Sequence, residues 1–106
     1  TINLFLDDLR PCPPNFTLAR TYHEAIELFH THHVNILSLD HDLGCDELGR
    51  LLETGYDFVK WFVDSGYSCN EIRFHTANPI GKQNMVRYLL SAQRCEVISE
   101  DIKIVY

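Results

Sequence analysis

The chain has 106 residues, 45% of them hydrophobic, and a formal charge of −6. That length fits one small domain, residues 1–106, and the hydrophobic share is enough to fill one core. The acidic balance excludes an extended nucleic-acid surface, which needs a basic face, and no apolar run approaches the ~20 residues of a membrane span. A small phosphorylated ligand at a local basic or metal site is compatible with both.

Ile2 to Leu6 predicts a first strand that runs straight into Asp7-Asp8-Leu9-Arg10. Pro11, Pro13 and Pro14 then forbid a regular helix. Thr17 to Arg20 predicts a short second strand. Thr21 followed by Glu24 reads as a capping box, opening a helix over about Tyr22 to His32 with Tyr22, Ala25, Ile26 and Phe29 on one face. Val34 to Leu39 predicts a third strand ending in Asp40-His41-Asp42, with Gly44 closing the stretch. Cys45 to Thr54 is polar and acidic and predicts a mobile loop, with a helical turn around Leu48 to Leu52.

Gly55-Tyr56-Asp57 opens a helix through Asp64 that buries Val59, Phe62 and Val63, and Ser65-Gly66 ends it. Glu71 to His75 predicts a fourth strand with an inward Ile72-Arg73-Phe74 run. A loop at Thr76 to Pro79 leads to a helix from Gly81 or Lys82 to about Gln93, with Met85, Leu89 and Ala92 inward. Asp101 to Tyr106 predicts the last strand. Strands alternating with helices of about ten residues define an α/β class with a parallel sheet. The order 2-1-3-4-5 sets the first and third strands side by side at the switch point, where ligands sit. Cys12, Cys45, Cys69 and Cys95 show no CxxC spacing and read as reduced thiols of a cytoplasmic protein. No stretch reads as a signal peptide.

Asp7, Asp8, Asp40 and Asp42 therefore gather at one edge. That much negative charge in a cleft is costly without a cation, and oxygen ligands of this kind suit Mg²⁺ shared with a phosphate; solvated or capping acids are the plain alternative. His41 and His75 each end a strand, where a histidine transfers protons, binds metal or donates to a phosphate oxygen, or is merely structural. Asn78 to Asn84 is a turn running into a helix start, whose N–H groups point at anions. Lys82 adds charge there, and Asn78 or Asn84 a directed hydrogen bond. Arg10 either clamps a phosphate bidentately or pairs with Asp7 or Asp8. Asp57 closes the pocket or simply serves as an N-terminal helix acid. His30, His32 and His33 suit the carboxyl end of a helix.

Four stretches carry a family resemblance: Leu6-Asp7-Asp8-Leu9-Arg10, Ser38 to Gly44, Gly55-Tyr56-Asp57, and His75-Thr76-Ala77-Asn78-Pro79 with Gly81 and Asn84-Met85. The chain resembles the receiver domain of two-component signalling and, more closely, the small receiver-related family named for predicted cyclic-phosphate processing. The resemblance implies a three-layer, flavodoxin-like parallel sheet, from which this chain departs after the first strand, where the short proline-rich link leaves the helix reduced or missing. It implies Mg²⁺ on Asp7 and Asp8, Asp40 where a phosphoacceptor stands, and Thr76-Ala77 where receivers have a hydroxyl and a small residue. Receivers carry a lysine at the end of the fifth strand, usually followed by proline; here Lys103 lies inside the last strand and no proline follows.

Three functions remain open on this reading. One is a metal-dependent phosphoesterase acting on a cyclic phosphate of a nucleotide or RNA end, with Asp40, His41 and His75 as catalytic residues, Asp7, Asp8, Asp40 and Asp42 on the metal, and Arg10, Thr76, Asn78, Lys82 and Asn84 on the phosphate. The second is a signalling receiver phosphorylated on Asp40 by a kinase partner. The third is a module that binds a phosphorylated ligand without turning it over.

Overall fold

Two apolar runs, Ile2–Leu6 and Val34–Leu39, form the centre of the sheet. In the computed structural model, which describes residues 1–106, they are β1 and β3 and pair directly, Leu4 with Leu37 and Leu6 with Leu39. The remaining elements in chain order are β2 (Thr17–Ala19), α1 (Tyr22–Thr31), α2 (Gly55–Ser65), β4 (Glu71–Phe74), α3 (Pro79–Arg94) and β5 (Lys103–Val105). All pairs are parallel and the order is β2-β1-β3-β4-β5, a receiver-like α/β sheet.

The core lies on one face. Leu4, Leu6, Leu37, Leu39 and Ile72 project from the sheet into one cluster with Phe29 of α1, Phe58 and Phe62 of α2, and Met85 and Leu89 of α3. Each helix-bearing crossover moves the same way along the sheet, so right-handed connections stack all three helices on that face. Phe5, at the alternate position of β1, is outside the cluster and packs instead on Phe16 of the β1–β2 link and on His75. The second outer layer of the expected three-layer fold is thus the proline-rich link rather than a helix. That link joins β1 directly to β2, with Asn15 in the left-handed region at φ 69°.

Several local expectations shift. At α1, Thr21 Oγ1 accepts from the Glu24 N–H, but Glu24 Oε1 reaches past Thr21 to the N–H of Arg20, so the capping box is half formed. A full box stands on α2 instead, between Thr54 and Asp57. Residues 45–54 form no helical turn: Asp46 accepts N–H groups from Leu48 and Arg50, Gly49 takes φ 76°, and Cys45 bridges Leu51 in antiparallel fashion. Helix α3 starts two residues early because Asn78 caps it, its Oδ1 accepting from Gly81 N–H, and Pro79 fits the first turn, which needs no N–H donor. In β4 only Ile72 is buried; Arg73 is exposed and Phe74 half-buried.

Candidate functional site

Register builds the site. Leu6, Leu39 and Phe74 stand abreast in β1, β3 and β4, so the next residue of each strand reaches the carboxyl edge together: Asp7, Asp40 and His75. The ladder extends through these three positions, with Asp40 N–H on Leu6 C=O and His75 N–H on Leu39 C=O, both at 3.0 Å. Ligand atoms of the three residues lie within 4.8 Å of one another. Asp7 and Asp40 are buried, at 0% and 7% exposure.

Asp7 is held by four donors. Its Oδ1 accepts from the N–H groups of Leu9 and Arg10, both at 2.9 Å. Its Oδ2 accepts from Arg10 Nη1 at 2.7 Å and faces His75 Nε2 at 2.9 Å. Burial by itself would raise the carboxyl pKa, but these bonds outweigh it and hold Asp7 down at about 2. Arg10 Nη1 also lies 3.3 Å from Asp40 Oδ2, so one guanidinium spans the two acids. The Asp7 carboxylate raises the arginine pKa in return. Arg20, just after β2, steadies this turn from behind, donating from Nη1 to Arg10 C=O at 2.8 Å and Asp7 C=O at 3.4 Å.

His75 is half-buried in a hydrogen-bonded chain. Ser38 Oγ lies 2.8 Å from its Nδ1, and its ring stacks on Phe5 at 4.2 Å. An ionised Asp7 only accepts, so Nε2 carries the proton and Ser38 O–H donates to Nδ1. Burial lowers the His75 pKa below its ordinary 6.5, against the pull of Asp7, which leaves the ring neutral. His41 is built differently. Its Nδ1 is 3.0 Å from Asp42 Oδ1, and Asn78 Nδ2 reaches both His41 and Asp42. The bond from His41 lowers the Asp42 pKa. Its ring lies on Gly81, where a Cβ would come within 2.5 Å of it. Gly55 is equally constrained: its N–H donates to His41 C=O, and a Cβ there would sit 1.9 Å from Asp40 C=O.

These walls enclose an open cleft of about 570 Å³, lined by Asp7, Asp8, Arg10, Asp40, Asp42, Thr76 and Asn78, with Leu9, Gly44 and Ala77. Asp8 lines it against Gly44 but stands outside the set of three converging ligand atoms, as does Asp42. Lys82 and Asn84 are placed elsewhere. Lys82 lines a separate groove with Ile80, Arg87 and Tyr106, and Asn84 is exposed on α3. Both sit beyond the first turn of a helix that begins earlier than the sequence predicts. Asp57 takes the plainer of its two readings and caps α2. Two residues that shape the site carry no chemical signal of their own: Ser38, at the head of the Ser38 to Gly44 stretch but legible only as a small polar residue at the end of an apolar strand, and Arg20, a lone cation after a short strand.

The parallel order and the acidic carboxyl edge define a receiver-like domain. The family model for the cyclic-phosphate processing receiver domain matches residues 2–91, and the chain belongs to that family. No curated protein sequence and no solved structure matches the chain.

Proposed function

We propose that this domain is a metal-dependent phosphoesterase acting on a cyclic phosphate carried by a nucleotide or an RNA end. The observation that carries this reading is the convergence of Asp7 and Asp40, with Arg10 between them, at the floor of a cleft whose walls bear Thr76 and Asn78. Two buried carboxylates and further oxygen groups fit a hard divalent cation such as Mg²⁺, which keeps waters and shares a phosphate. When bound, such an ion supplies neutralisation of charge on the phosphoryl oxygens.

Asp7 and Asp40 would hold the ion, and Asp8 at the rim would add a carboxylate near its waters. Arg10 and Asn78 both line the cleft and would supply N–H donors to the phosphate. His75 acts as a positioning residue, because both its ring nitrogens are engaged by Ser38 and Asp7. His41, oriented by Asp42 in the way an acid orients a general base, is the residue assigned to proton transfer. The fitted substrate is small, since the acidic chain offers no basic track for nucleic acid. No helix is long and apolar enough to cross a membrane. Four free cysteines support the cytoplasmic assignment.

A second reading makes Asp40 a phosphoacceptor served by a kinase partner. Its position at the end of β3 favours this, while Lys103, at the start of β5 rather than at its carboxyl end, does not. Incubation with Mg²⁺ and a 2′,3′-cyclic nucleotide separates the two. Turnover lost in Asp40→Asn and in His41→Ala supports the esterase. A stable phosphoryl adduct from acetyl phosphate, lost in Asp40→Asn, with no turnover, supports the receiver. Tight binding without product leaves a ligand-binding module.

A further inference from the structure

We propose that the Arg10 side chain is a built-in counter-cation for the acidic site, one that a divalent ion must displace and that then turns to the bound phosphate. This rests on the metal-binding reading above and adds the step by which the site is occupied.

Lone pairs on Asp7 are the limiting quantity. An ionised carboxylate offers about four acceptor positions. All four on Asp7 are taken, by two backbone N–H groups, the His75 ring and Arg10 Nη1. A cation coordinated by Asp7 therefore has to remove one donor. The backbone donors belong to a turn that Arg20 fastens through Arg10 C=O and Asp7 C=O, so they cannot leave without unmaking the turn. His75 is stacked on Phe5 and bonded to Ser38. Only the Arg10 guanidinium is half in solvent, at 43% side-chain exposure, and its one further partner is the other acid of the site, Asp40.

Its position has the same implication. Nη1 bridges Asp7 and Asp40 at 2.7 and 3.3 Å, between two of the groups whose ligand atoms converge. A positive group already stands where an ion would bind, so the apo site avoids two uncompensated buried charges. Because the Arg10 backbone is clamped, release moves only its side chain, which swings from a fixed Cα in the wall of the cleft. A guanidinium freed beside the cation is in place to clamp a phosphate. The device makes occupancy concerted: the ion alone binds against Arg10, and the ion with phosphate gives Arg10 a new partner.

The test is Mg²⁺ titration of the wild type and Arg10→Gln by calorimetry, alone and with a 2′,3′-cyclic nucleotide. Removal of one charge-assisted competitor should tighten Mg²⁺ binding about tenfold in the variant and weaken the nucleotide in the presence of Mg²⁺. Equal or weaker Mg²⁺ affinity in Arg10→Gln overturns this inference while leaving the metal reading intact, and no Mg²⁺ binding by either protein overturns both. Should Arg10→Gln fail to fold, side-chain nitrogen NMR on the wild type decides: Arg10 resonances should be immobilised in chelator and become mobile on adding Mg²⁺. Resonances that stay immobilised at saturating Mg²⁺ sink the proposal.

Discussion

Asp7 shows how a single residue of the proposed site also contributes to folding. Its pKa falls from an ordinary 3.8 to about 2 in the folded chain. A depressed carboxyl contributes stability that is present above the unfolded value and lost as pH falls through the folded one. In chelator, the wild type should therefore lose about 2 kcal/mol between pH 4 and pH 2 through this group, and Asp7→Asn should lack that part of the acid dependence. Urea unfolding across that range measures it; identical pH slopes in the two proteins would refute it. Gly55 makes the complementary point, through space rather than charge. A methyl group there collides with Asp40 C=O at 1.9 Å, backbone against backbone. Gly55→Ala should cost about 3 kcal/mol or more and displace Asp40. A variant as stable as the wild type would mean that α2 can tilt away from the site. The paired acids and both histidines were legible in the sequence as residue types at strand ends. The partners of His75 were not, because Ser38 lies 37 positions away and Asp7 68.

At the scale of elements, helix starts determine what lines the cleft. The Asn78 cap and Pro79 begin α3 at the cleft rim, which leaves Asn78 and Thr76 inside and carries Lys82 around the helix to another groove. Periodicity locates a helix well but places its first turn poorly, since the first turn is decided by which side chain takes the free N–H groups. The two capping boxes illustrate this. Thr21 and Glu24 have the right spacing, yet Glu24 bonds to Arg20; Thr54 and Asp57 complete the reciprocal pair. Thr54→Ala should lower stability by about 1 kcal/mol, seen as a lower urea midpoint with an unchanged slope. No change in midpoint would show that Asp57 alone caps α2. Residues 45–54 misled for a related reason. Their apolar residues Leu48 and Leu51 have helix-like spacing but are 76% and 85% exposed, and Asp46 organises the segment as a turn.

Across the whole molecule, one core supports one edge. Leu37 is 1% exposed at the centre of the helix-covered face, two residues before the strand end that carries Asp40. Leu37→Ala should cost about 3 kcal/mol and lower the melting temperature without altering the cleft residues. Trp61, the single tryptophan, packs on Phe29 and Phe58 of the same core, so its fluorescence follows the transition. Shifted amide resonances of Asp7, Asp40 and Asn78 in the folded fraction would instead tie the site to core packing. One-sided helical cover explains why Phe5 is free to stack on His75. With the second layer reduced to the proline link, the reverse face of β1 holds an aromatic ring beside the site.

The α/β class, the strand order, the missing helix and the acids at the strand ends were all legible before folding, because hydrophobic periodicity and proline act locally and survive without a partner. The tertiary structure alone decided which acids converge, that Arg10 stands between them, and that His75 is locked while His41 pairs with Asp42. Those outcomes depend on strand register and on competition for a few lone pairs, and both arise only when segments distant in the chain are brought side by side.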